Sequence, residues 1–189
     1  MVKSSHLSVD TAKLAAKHEE ADTRIVLHCI HILSPCIVVQ ATDTDVLVLL
    51  LANISRFPCT TLWVKCGTAK KRKYICIQSL VESLPFGPTV LETLPALHAL
   101  TGTDTTSFLY GIGKKHAWKV FQKHHELLKD LGNGCLTEKT MKDAEVFVCR
   151  LFKMENLVTT DMVRTKLFTK CHSPESLPPT SDALGLHIM

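Results

Sequence analysis

The stretch CIVVQATDTDVLVLLLAN (residues 36–53) constrains this chain more than any other part of it. Its first six residues, Cys36 to Ala41, are apolar and β-branched, the composition of a short strand buried in a parallel sheet. From Val46 to Asn53 the run is rich in leucine and continues as a helix. A strand running directly into a helix is the first half of an α/β unit. Open α/β sheets bind ligands just beyond the carboxyl end of such a strand. Asp43 and Asp45 stand at that point, and on extended backbone residues two apart project to the same side. The same acids are also good helix caps.

The rest of the chain is consistent with that beginning. At 189 residues it can bury one well-formed core, and 46% hydrophobic against 21% charged residues excludes a disordered chain. Helices are expected over Glu19–Leu33, Ser79–Leu84, Leu91–Leu100, Lys114–Leu131, Thr137–Phe152 and Thr160–Phe168. Further strands are expected over Thr61–Cys66 and Lys73–Ile77, with a basic turn containing Gly67 and KKRK between them. Pro95 is admissible in a helix's first turn, and Cys171–Thr180 reads as irregular. Strands come early and give way to helices, so the expectation is an α/β domain with a short parallel sheet and a helical C-terminal segment. The eight cysteines contain no Cys-x-x-Cys pair, and the polar Met1–Asp10 stretch is no secretory signal. Reduced, intracellular thiols and no membrane partner are expected.

Charge is unevenly distributed. Residues 18–50 carry five acids and one base, Arg24, whereas 65–73 carry five bases and no acid. Residues 111–124 carry Lys114, Lys115, Lys119 and Lys123, again without an acid. An acidic centre beside basic segments suits a cation site next to a polyanion. Glu20 and Asp22 form a second acid pair at a helix start, and Asp104 a single acid ahead of Gly111-Ile112-Gly113-Lys114-Lys115. The glycine pair lets backbone amides approach a phosphate, and the lysines open a basic helix behind it. Phe108 and Tyr110, in the loop between, are candidates for touching substrate. His28, His31, Trp63 and Trp118 read as ordinary helix or core residues.

Glu-Ala-Asp on a helix, Asp-x-Asp after a strand, Gly-Thr-Asp, and Gly-Ile-Gly-Lys-Lys-x-Ala together resemble the internal region of flap-endonuclease/XPG-like nucleases of the PIN-like superfamily. The longer stretches HEEADTRI, DTDVLVLLL, LPALHALTGTDTTS and GIGKKHAWK are also similar to a group of animal proteins of that fold, linked to mobile elements and without assigned biochemistry. The resemblance implies a PIN-like three-layer core over residues 18–130 with its first strand missing. It implies an N-terminal extension over 1–17, a helix–two-turn–helix near 100–130, and a helical segment with an irregular tail over 131–189. It makes Glu20, Asp22, Asp43, Asp45 and Asp104 ligands for two magnesium or manganese ions. Asp43, Asp45 and Asp104 would be catalytic, with Gly111, Gly113, Lys114, Lys115 and Lys119 on a nucleic-acid backbone, DNA before RNA. The implied activity is phosphodiester hydrolysis in the nucleus.

Two departures from the family pattern stand out. The nucleases carry a further aspartate on a first strand, which nothing before His18 supplies, and Thr105 and Thr106 stand where flap endonucleases have an aromatic. A catalytically inactive nucleic-acid-binding module, or a transposon-derived relic, is the alternative. Strand-then-Asp-x-Asp is also the nucleophile motif of haloacid-dehalogenase-type phosphatases, which leaves Gly111–Lys115 unexplained.

Overall fold

The structure is a computed structural model that describes residues 11–14, 21–104, 106–134, 136–169 and 173–188. The chain forms two compact units, Met1–Glu92 and Thr93–Met189. This division falls within the expected 18–130 core and groups the basic helix with the C-terminal helices. Among the described residues no helix is long and apolar enough to cross a membrane.

The N-terminal unit is mixed α/β. In chain order it contains α1 (Ala21–His31), β1 (Cys36–Gln40), α2 (Thr44–Ala52), β2 (Thr61–Thr68), β3 (Lys71–Cys76), α3 (Ile77–Ser83) and α4 (Pro88–Leu91). The sheet order is β1-β2-β3. β1 and β2 are parallel, with Ile37 beside Leu62 and Val39 beside Val64, and these four are buried on one face. The expected parallel sheet is nevertheless only half right, because β2 and β3 are antiparallel. Only Ala69 and Lys70 connect them, too few residues for the crossover that a parallel pair needs. Gly67 just before the turn has φ +87°, and a Cβ there would lie 2.2 Å from the Lys71 carbonyl oxygen. Only glycine fits that position.

The basic run is therefore not mainly a turn. Lys71, Arg72 and Lys73 lie on β3, an exposed edge strand, where cations discourage pairing with another chain. β1 likewise corrects its expectation of full burial. Its exposure alternates, and Val38 is 55% exposed, because the sheet here is covered on one face only. Leu50, Leu62, Ile77 and Leu91 are fully buried and form the heart of this unit.

The C-terminal unit is helical: α5 (Leu94–Leu100), α6 (Lys114–His124), α7 (Glu138–Leu151), α8 (Thr160–Phe168) and α9 (Ser181–Ile188). The expected helix over Leu91–Leu100 is broken ahead of Leu94, with Pro95 in the first turn of α5. Proline has no N–H to continue a preceding helix. The helix expected over Lys114–Leu131 ends at His124 and tightens into a 3-10 turn, His125–Leu128. α9 follows the stretch expected to be irregular: Thr180 Oγ1 accepts the Ala183 N–H at 3.2 Å and opens the helix. Phe121, Phe147, Val148, Val163 and Leu184 fill the core.

Near its centre lies a carboxylate. Glu145 on α7 is 9% exposed and accepts the Thr160 N–H at 2.8 Å, the Thr160 hydroxyl at 3.2 Å and the Ser181 hydroxyl. It thus joins α7 to the first turns of α8 and α9, where helix dipoles favour negative charge. The described cysteines Cys29, Cys36, Cys59, Cys66, Cys76 and Cys149 are free thiols. Burial, with Cys59 nearby, pushes Cys29 up to about 11, and burial, with Glu145 nearby, does the same to Cys149. Both behave as small apolar side chains.

Candidate functional site

In the N-terminal unit the sheet delivers its acids where β1 ends. The Ala41 N–H donates to the Lys65 carbonyl at 3.1 Å, extending the β1–β2 ladder by one residue. Asp43 stays extended, with φ −78° and ψ 139°, and its Oδ1 accepts the Asp45 N–H at 3.0 Å. It is the N-cap of α2. Because α2 begins at Thr44, Asp45 lies in the first helical turn rather than on extended backbone. The expected strand-like alternation is replaced by a cap, since unpaired N–H groups at a helix start draw a carboxylate.

Asp22, in the first turn of α1, meets the same region, and α1 packs on α2. Partial burial raises the Asp22 carboxyl above the ordinary carboxylate value, and the charges of Asp43 and Asp45 raise it further. Three of the five expected acids thus share one electrostatic field. Glu20 lies outside the described residues. Asp104 belongs to the C-terminal unit.

Oxygen-only donors suit hard cations, and magnesium commonly takes one or two carboxylates while keeping several waters. The donor chemistry of Asp22, Asp43 and Asp45 fits such an ion. Among the described residues no group of three or more His, Cys, Asp or Glu side chains stands close enough together to hold a metal ion.

In the C-terminal unit, Asp104 is presented by a loop that threonines build. The Thr103 N–H donates to Thr106 Oγ1 at 2.9 Å, the Thr106 N–H donates to Thr103 Oγ1 at 3.1 Å, and the Thr106 hydroxyl donates to the Ala99 carbonyl at 2.9 Å. This bracket leaves Asp104 exposed at the turn. Gly102 has φ +95°, and a Cβ there would meet Phe108 Cβ at 2.6 Å. The glycine in LTGTDTTS is thus a packing requirement.

Lys114 opens α6, but its ammonium serves this loop. It donates to the Gly102 carbonyl at 2.6 Å, Thr101 Oγ1 at 3.0 Å and the His98 carbonyl at 3.1 Å, and lies 3.1 Å from His98 Nδ1. Its expected phosphate contact competes with that structural role. Lys115 and Lys119 are exposed on the same helix. Gly111 needs its φ of +75°, whereas Gly113 is the extended N-cap of α6 and a Cβ on it would meet nothing within 4 Å.

Phe108 and Tyr110 are 72% and 56% exposed. They line a cavity of about 430 Å³ together with Glu175 and His187, residues to which sequence reasoning assigned no role. Glu175 lies in the stretch expected to be irregular and His187 on α9, and no local motif marks either of them. No family model, curated protein or solved structure matches this chain.

Proposed function

We propose that the chain is a PIN-like, flap-endonuclease-type domain that hydrolyses phosphodiester bonds in nucleic acid, DNA before RNA, with magnesium or manganese, in the nucleus. The observation that carries this reading is the meeting of Asp22 in the first turn of α1 with Asp43 and Asp45 at the start of α2, which packs on α1; partial burial first, and then those two charges, raise the Asp22 carboxyl. Acids that repel one another in a partly buried place lower stability, and such perturbed groups gather at functional sites. A cation relieves that repulsion.

Asp22, Asp43 and Asp45 hold the cation in this reading. When bound, such an ion supplies a water nucleophile at neutral pH and stabilises the leaving oxygen. The cap on α2 and the ligand role of Asp43 are compatible, because a carboxylate offers two oxygens with about four lone-pair sites. The cap also pins the Asp43 side chain, so less rotamer freedom is lost on binding. Lys115, Lys119 and the first amides of α6 attract the phosphodiester backbone in the C-terminal unit.

Calorimetric titration with manganese tests this, comparing wild type with Asp43→Asn. Asparagine caps helices as well as aspartate does, so the fold is retained while an anionic ligand is lost. Manganese affinity is expected to fall at least tenfold, and cleavage of branched DNA to vanish while DNA affinity stays. Equal heats and equal cleavage in both proteins would refute the assignment. The second reading, a non-catalytic nucleic-acid-binding module, is favoured by the capping bond itself, since a cap alone explains Asp43. Salt-sensitive, metal-independent binding without cleavage selects it.

A further inference from the structure

The β2–β3 hairpin of the N-terminal unit carries charge that the acid site does not use. No acid occurs between Asp45 and Glu82, and Lys70, Lys71, Arg72 and Lys73 follow one another within that span. Every residue from Gly67 to Tyr74 is exposed. Adjacent cations repel one another, and among the described residues no ion pair offsets any of these four. Positive charge concentrated in this way attracts a polyanion.

The strand register shows where the charges lie. Cross-strand partners share a face of the sheet. Lys73 stands beside Cys66 and Lys71 beside Thr68, on the side of Val64 and Ile75, whereas Arg72 and Tyr74 fall on the other side with Trp63 and Lys65. Val64 is 3% exposed, yet Lys71 and Lys73 on that same side are exposed. The hairpin therefore runs clear of the packed core as a two-stranded ribbon, with cations on both faces and Lys70 at its tip. From Lys71 to Tyr74 the strand rises by about 3.4 Å per residue, so the free ribbon is about 10 Å long. A flat acidic surface on a protein partner would meet only one face of it. The major groove of B-form DNA, about 12 Å wide and about 8.5 Å deep, has phosphates along both walls and admits a two-stranded ribbon. The major groove of an RNA duplex is too deep and narrow for one.

We propose that the β2–β3 ribbon enters the major groove of duplex DNA, with Arg72 reaching the phosphates of one wall and Lys71 and Lys73 those of the other. The inference deepens the nucleic-acid reading above, from which it takes its class of partner, and it names the duplex form. The ribbon holds and does not hydrolyse. Phosphate contacts of this kind fix position without reading sequence.

The test measures the affinity of the full chain for one DNA duplex against salt. Wild type is compared with Arg72→Ala and with the double variant Lys71→Ala, Lys73→Ala, each checked for folding by circular dichroism. The slope of log affinity against log salt should fall by about 1 for Arg72→Ala and by about 2 for the double variant. Neither variant should change the slope for an RNA duplex of the same sequence. A DNA duplex whose cytosines carry glucosylated 5-hydroxymethyl groups, which fill the major groove, should bind wild type more weakly and erase the difference between the three proteins. An effect of one face alone, or equal effects on the RNA duplex, would overturn the groove. Unchanged slopes in both variants, with wild-type DNA binding intact, would overturn the ribbon and leave the nucleic-acid reading standing. A wild type that binds polyglutamate but no DNA would overturn both, in favour of an acidic protein partner.

Discussion

Asp22 and Glu145 are both carboxylates set close to helix starts, one in each unit, and they are treated in opposite ways. Glu145 is buried, yet three donors meet it: the Thr160 N–H, the Thr160 hydroxyl and the Ser181 hydroxyl. Asp22 is less buried, but its neighbours include Asp43 and Asp45, and its carboxyl is raised. Burial alone thus does not decide how a carboxylate is held. What distinguishes the two acids is whether the surroundings supply donors or more negative charge. The C-terminal unit uses its acid to join three helices, while the N-terminal unit sets Asp22 in the field of Asp43 and Asp45.

The largest expected effect tests the structural half of this contrast. Glu145→Ala leaves the Thr160 N–H and two hydroxyls without their acceptor and should cost about 2–3 kcal/mol. Hydrogen exchange should rise in α7, α8 and α9 while the β1–β2 ladder keeps its protection. Equal loosening of both units would mean that they do not unfold separately, and the contrast would lose its basis.

A middle-sized effect separates two lysines on α6. Lys114→Ala removes the donors that hold the 98–102 segment and should destabilise the protein by about 1 kcal/mol. Lys115→Ala should leave thermal stability unchanged and lower the slope of log affinity for DNA against log salt by about 1. The reverse pattern would make Lys114 the phosphate ligand after all.

The smallest effect has a definite sign. A raised carboxyl means that the folded state favours the protonated acid, so ionising Asp22 costs stability as pH rises above the ordinary carboxylate range. Asp22→Asn should therefore be more stable than wild type at neutral pH, by about 0.5 kcal/mol or less. The difference should vanish in acid, where Asp22 is protonated whether folded or not. Thermal melts of both proteins across this range read it out. A variant less stable at neutral pH would show that Asp22 is satisfied rather than repelled.

Much of the fold was legible from local pattern. β1 and β2 were legible because Ile, Val and Leu recur in short runs, and α8 because Thr159 and Thr160 mark a helix start, with the Thr159 hydroxyl accepting the Met162 N–H. The acid site was legible in part. Asp43 and Asp45 were placed at the end of β1, but whether they would be side-by-side ligands or a cap and a first-turn acid depends on where α2 begins. That boundary shifts by two residues without any change in composition.

The order of residues along the chain thus determined the α/β character of the first unit, the helical character of the second, and the placing of acids and lysines at helix starts. Those features depend on neighbours within a few positions, where side-chain period and capping chemistry act. Tertiary structure alone decided that Asp22 shares a field with Asp43 and Asp45, that Lys114 is drawn back onto the 98–102 segment, and that Phe108 and His187 line one cavity. These features bring together residues far apart in the chain. Packing and the satisfaction of buried polar groups select such meetings, and neither is visible in a local pattern.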